Sequence, residues 1–66
     1  NVAKYGPYVI IMNCSDENKS VNIEFSADVA KAHDIVSDTM MDVNSKITMK
    51  PLTTIILDLR ETEEKA

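Results

Sequence analysis

The 66-residue sequence holds one cysteine, one glycine, two prolines, one histidine and no tryptophan, and each scarcity closes off a class of protein. A lone thiol, Cys14, cannot close a disulfide within the chain, so the fold stands on its apolar core. One Cys with one His leaves no zinc-ligand pattern, and one Gly leaves no glycine-rich phosphate loop. Positive charge is also short: 7 Lys and Arg against 11 Asp and Glu give a formal charge of −4. That balance lacks the basic face that phosphate backbones require and the polybasic cluster that anionic lipid requires. The reading is therefore of no nucleic-acid and no membrane partner. No apolar run approaches the roughly 20 residues of a membrane-spanning helix.

What is present is 44% hydrophobic residues, too many for a disordered tail. The length allows one domain. A domain this short buries only about 60% of the surface its unfolded chain exposes, so it is marginal and gains from a covering neighbour. The chain opens at Asn1 with no basic and apolar leader, which reads as a piece cut from a longer protein, with no signal peptide in the piece.

Three segments read as strands. Tyr8 to Cys14 is a continuous apolar run, suited to a strand covered on both faces. Gly6-Pro7 before it is turn chemistry, leaving Asn1 to Tyr5 as the stub of an earlier strand. Val21, Ile23 and Phe25 alternate with Asn22 and Glu24, the period of a half-buried strand. The polar link Ser15–Lys19 predicts that these two strands form a β-hairpin. Near the end, Ile47 and Met49 alternate with Thr48 and Lys50, and Pro51 separates them from the β-prone run Thr53–Leu59. There Ile55, Leu57 and Leu59 share the inner face and Ile56 the opposite one. Arg60–Ala66 reads as a charged, solvated tail, so the division is a β-domain over 1–59 and a tail over 60–66.

The middle of the chain admits two readings. Val29, Ala32, Val36, Met40 and Val43 are spaced as a helical stripe that Ser26 would cap, giving an α+β fold with a helix over 26–43. Alternatively, Val29–Ala32 and Ile35–Val36 are short strand segments, with a turn at Ser37-Asp38-Thr39.

Residues that could carry chemistry are few. His33 and Asp34 are adjacent, so on a strand they point to opposite faces and form no orienting pair. Cys14 ends an apolar strand, the usual place of a small buried thiol, and a chain this short lacks room for an ordinary substrate cleft. Asp34, Asp38 and Asp42 recur every fourth residue, without the glycine and terminal glutamate of a calcium loop. They read as turn or surface residues. Asn13-Cys14-Ser15 and Asn18-Lys19-Ser20 match the short glycosylation pattern, which arises often by chance. Met12, Met40, Met41 and Met49 read as core filler. Of the three aromatic residues, Phe25 reads as internal, which leaves Tyr5 and Tyr8 as a thin platform for carbohydrate. No catalytic, cofactor-binding or metal-binding residue is assigned.

Taken in order, Tyr8–Glu17 with Lys19–Phe25, Ala32–Asp38, and Ile47–Leu57 resemble the C-terminal all-β domain that follows the catalytic barrel in many glycoside hydrolases of the α-amylase superfamily or the β-galactosidase type. In that pattern an apolar strand ends in Asn, an aromatic and Ser or Thr, and a proline precedes the last apolar strand. Cys14 stands where an aromatic is common, and Asp38 where Gly is common. The resemblance implies an all-β fold, a small antiparallel Greek-key β-sandwich, with residues 29–37 extended. It implies a non-catalytic accessory domain that packs on and stabilises the barrel of a carbohydrate-metabolising parent enzyme. The family's catalytic carboxylates lie on the barrel, so the fragment itself is no enzyme and needs no cofactor. The alternatives are a carbohydrate-binding module contacting sugar through Tyr5 and Tyr8, or an unrelated α+β interaction module.

Overall fold

The computed structural model describes residues 1–25 and 28–65. Seven strands follow one another: β1 (Val2–Tyr5), β2 (Tyr8–Asn13), β3 (Lys19–Val21), β4 (Val29–Asp34), β5 (Thr39–Asp42), β6 (Ile47–Met49) and β7 (Thr53–Glu64). They form an antiparallel five-stranded sheet in the order β1-β2-β7-β4-β5 and a two-stranded sheet of β3 with β6. The fold is all-β.

Local chemistry starts the larger sheet. Tyr5 pairs with Tyr8 across a loop of Gly6 and Pro7, and Gly6 has a φ of 55°. A two-residue hairpin loop needs positive φ at its first position to match the twist of the strands, and Pro7 fixes the second at negative φ. The stub expected before Gly6 is thus a full strand of the sheet.

β2 lies inside the sheet, between β1 and β7, and carries apolar residues on both faces. Val9 and Ile11 pair with Leu57 and Ile55, and all four are buried. Ile10 pairs with Ile56 on the opposite face, where both are half-buried. The inner faces meet Ile47 and Met49 of β6, with Val43 and Ala32 closing the same core. Leu57, Ile11 and Ala32 have no solvent exposure, which locates the centre of the core under the middle of the larger sheet.

Two buried polar side chains hold the ends of this core. Asn13 ends β2 facing inward. Its Nδ2 donates to the carbonyls of Glu17, Met49 and Lys50 at 2.8, 3.1 and 3.0 Å, and its Oδ1 accepts from the amide and hydroxyl of Ser15 at 3.0 and 2.7 Å. One side chain thus sews the end of β2 to the β6–β7 connection in the other layer. Asp34 ends β4 facing inward. Its Oδ1 accepts from the amides of Val36 and Ile56 at 3.0 and 3.3 Å, and its Oδ2 from the Ser37 hydroxyl at 2.8 Å. Burial of such groups is tolerated because the backbone donors and acceptors satisfy them.

Several expectations give way. The helix over 26–43 does not form: residues 29–34 and 39–42 are strands, and the cap assigned to Ser26 lies outside the described residues. The stripe breaks up accordingly, with Ala32 and Val43 buried while Val36 and Met40 are exposed. The span 29–37 is extended only to Asp34, where the turn to β5 begins. The predicted hairpin of β2 with β3 is absent. β2 uses both its edges on β1 and β7, so the Ser15–Lys19 link crosses to the second layer and β3 pairs with β6. The supposed tail is part of the sheet through Glu64, because β4 supplies a partner for it, with Ala32 opposite Thr62 and Lys31 opposite Glu63. Cys14 is exposed, since the inward parity of β2 falls on Asn13. Of the methionines, Met49 is fully buried but Met12 and Met40 are exposed.

Candidate functional site

The five-stranded sheet is wider than the two-stranded one, so it offers two surfaces beyond the closed core: its outer face, and the part of its inner face under β1. The outer face is set by strand parity. Tyr8, Ile10 and Met12 of β2 stand beside Asp58, Ile56 and Thr54 of β7, and His33 of β4 stands opposite Asp58. Tyr5 extends the row onto β1 and Met40 onto β5.

The polar half of this face is a connected cluster. Asp58 is 4% exposed, and Arg60 covers it, donating from Nε and Nη2 to its two carboxylate oxygens at 3.1 Å each. The Arg60 amide also donates to Asp58 Oδ1 at 2.9 Å. These bonds from Arg60, side chain first, hold the Asp58 carboxyl below the usual carboxylate range against the opposing effect of burial. Arg60 then reaches across to β2. Its Nη2 donates to the Tyr8 hydroxyl at 2.7 Å, and its guanidinium lies 5.3 Å from the centre of the Tyr8 ring.

His33 is bracketed by acids. Its Nε2 donates to Asp38 Oδ1 at 2.8 Å, and its Nδ1 is 2.7 Å from Glu61 Oε2, a close charge contact that lacks hydrogen-bond alignment. Asp38 reaches the ring because it sits in the β4–β5 turn with a φ of 56°, a left-handed conformation that Asp tolerates better than most residues. Glu61 reaches it because the pairing of β4 with β7 slips between Ala32/Thr62 and His33/Asp58, so that residues 59–61 of β7 bulge out. The bond to Asp38 raises the His33 pKa most. Burial opposes it, and the charges of Glu61, Asp38 and Asp58 add to the rise.

The apolar half of the face consists of Ile10, Met12 and Ile56, with Ile35 at its margin 43% exposed, and Met40 stands apart on β5 beyond His33. Under β1, on the inner side, lies an open cleft of about 430 Å³ lined by Val2, Val9, Ile23, Phe25, Val29 and Leu59, with Lys4, Glu24 and Thr62 also on its walls.

The two tyrosines singled out from the sequence are brought together as cross-strand neighbours. Tyr5 is 67% exposed, whereas Arg60 already occupies one face of the Tyr8 ring. Sequence reasoning missed Arg60, Asp58, Glu61 and the partner of His33. The available signal was the five-residue step from His33 to Asp38 around a turn, which returns both side chains to one side of the sheet. His33 and Asp34 do point to opposite faces. Among the described residues no group of three or more His, Cys, Asp or Glu side chains is placed to hold a metal ion. Asp34 and Asp42 each accept a backbone amide two residues on, the turn-forming role read for them. Asn13 is committed to five bonds inside the fold, so Asn13-Cys14-Ser15 offers no free amide for a glycan.

No family model, curated protein or solved structure matches the chain.

Proposed function

We propose that this chain is a non-catalytic β-domain that packs through the outer face of its five-stranded sheet on a larger catalytic domain, in the manner of the C-terminal domains of glycoside hydrolases. One observation carries the reading: Ile10 and Ile56 pair across β2 and β7, and with Met12 beside them they form an apolar surface on the side of the sheet away from its own core. Solvated antiparallel sheets alternate apolar and polar residues, and apolar side chains on both faces of β2 and β7 suit a sheet covered twice. The polar cluster from Tyr8 to His33 would then rim the contact. The resemblance in the strand and turn pattern points to a barrel as the covering body.

The test uses the chain joined to its catalytic barrel. Ile10→Ser with Ile56→Ser should lower the melting temperature of the barrel, while the 66-residue chain alone loses little. An unchanged barrel melting temperature, or a full-length protein that contains no barrel, overturns the proposal. A second reading, as a carbohydrate-binding module, is favoured by the exposure of Tyr5 beside Tyr8. It requires polysaccharide binding that Tyr5→Ala abolishes, and retention by no polysaccharide removes it.

A further inference from the structure

His33 is the chain's one histidine, and its ring joins two irregular features that lie far apart in sequence. Nε2 meets Asp38 of the strained β4–β5 turn, and Nδ1 meets Glu61 of the β7 bulge. We propose that His33 is a proton-operated clasp that holds this turn and this bulge to each other and releases the bulge when the ring becomes neutral.

The argument is one of donors and acceptors. An imidazolium has two N–H groups, and both ring nitrogens here lie within 2.8 Å of carboxylate oxygens, Nε2 in an aligned hydrogen bond to Asp38 and Nδ1 in a charge contact with Glu61. A neutral imidazole has one N–H and one lone pair. Whichever tautomer it takes, a lone pair must face a carboxylate oxygen at contact distance. The Asp38 contact is the aligned hydrogen bond, so the neutral ring keeps it and opposes Glu61 instead. Water cannot readily intervene, because Nδ1 is buried. Glu61 can leave, since its side chain is 60% exposed. Its departure unpins the bulge and the pairing of Thr62–Glu64 with Val29–Ala32 that lies beyond it.

The other charged groups around the ring act in the same direction or are already engaged. From β7, Asp58 favours the cation, and Arg60 is neutralised by Asp58. From β5, the residue opposite is Met40, with Asp42 one step along the face opposite Lys31. Acidic surroundings therefore outweigh Lys31, in line with the raised pKa of His33. The sign follows: the clasp is fully closed below the ordinary histidine value of 6.5, and it opens as pH rises through the higher folded value.

The experiment is a nuclear magnetic resonance titration of the whole chain from about pH 5 to 9, across the histidine range. It follows the His33 ring protons and the backbone amides of Glu61 and Thr62. The expected result is a ring midpoint above 6.5, with both amides moving at that same midpoint. Glu61→Gln, a change at an exposed side chain, should move the ring midpoint down towards 6.5 and flatten the Thr62 response. In His33→Gln the amide transitions should vanish. A ring midpoint at or below 6.5, amides that stay fixed while the ring titrates, or a midpoint unchanged by Glu61→Gln would each overturn the clasp. So would amide transitions that persist in His33→Gln. The wild-type titration decides by itself should a variant not fold.

Discussion

Asn13 offers the sharpest test of how the two layers are joined. Its amide nitrogen serves three carbonyls, of which that of Met49 is in a buried contact, and its oxygen serves Ser15 twice. Asn13→Ala strands the buried carbonyl, which costs about 1–3 kcal/mol, and exchanges the four partly exposed bonds for bonds to water at about 1 kcal/mol together. The total is about 2–4 kcal/mol. A chain of 66 residues has about 3–10 kcal/mol of stability altogether, so the variant melts about 8–32 °C lower, at about 4–8 °C per kcal/mol. Asn13→Asp has the same shape but turns an oxygen towards those three carbonyls. It is expected to be worse than Ala at pH 7 and to recover in acid, where a protonated carboxyl returns one donor. The folded state raises the affinity of that new carboxyl for its proton, so the variant's deficit relative to wild type shrinks as pH falls. Urea unfolding followed by far-ultraviolet circular dichroism at pH 7 and pH 4 measures both effects. If Asn13→Ala lies within about 0.5 kcal/mol of wild type, or the Asp variant shows no pH-dependent deficit, the side chain is not the stitch between the layers.

Two further outcomes follow from the same structure. Leu57 is fully buried at the centre of the core, and Leu57→Ala should cost about 2–5 kcal/mol in urea unfolding; a loss below about 1 kcal/mol would mean that the core collapses around the gap or lies elsewhere. Asp58 has its pKa lowered chiefly by Arg60, so its contribution is present above the ordinary carboxylate value of 3.8 and disappears as pH falls through the lowered value. Asp58→Asn should flatten the acid limb of stability against pH, and parallel curves for the two proteins would contradict the pairing.

The strands of this fold were legible where alternation or apolar runs are long, and their partners were not. Ile55, Leu57 and Ile56 took the faces their spacing assigns. The strand read over residues 21–25 lies instead at Lys19–Val21, with residues 22–25 outside any strand; nothing local says that its partner is β6, far along the chain, and the five-residue polar link after Cys14 mimics a hairpin loop. The segment from Val29 to Val43 is ambiguous for a physical reason. Two short strands and a tight turn place apolar residues at intervals that also fit a helix, and only β7, arriving from the far end of the sequence, decides between them by pairing with β4. The tail was misjudged for the same reason, since Arg60–Glu64 is polar and becomes a strand because a neighbour accepts its backbone. Of the candidate surface, Tyr5 and Tyr8 could be named from residue type alone. Of the His33–Asp38–Glu61 and Tyr8–Arg60–Asp58 groupings, only the step from His33 to Asp38 leaves a trace in residue spacing, and the rest depends on a bulge and on strand register.

The strand that lies in the middle of the larger sheet is also the last of the described strands in chain order. Without β7, β2 and β4 have no common neighbour, and the preceding chain can make only the β1–β2 and β4–β5 hairpins and the β3–β6 pair. Closure of the larger sheet must therefore wait for β7 and then proceed at one stroke. Truncations that remove the final dozen residues should yield protease-sensitive polypeptide instead of a smaller domain.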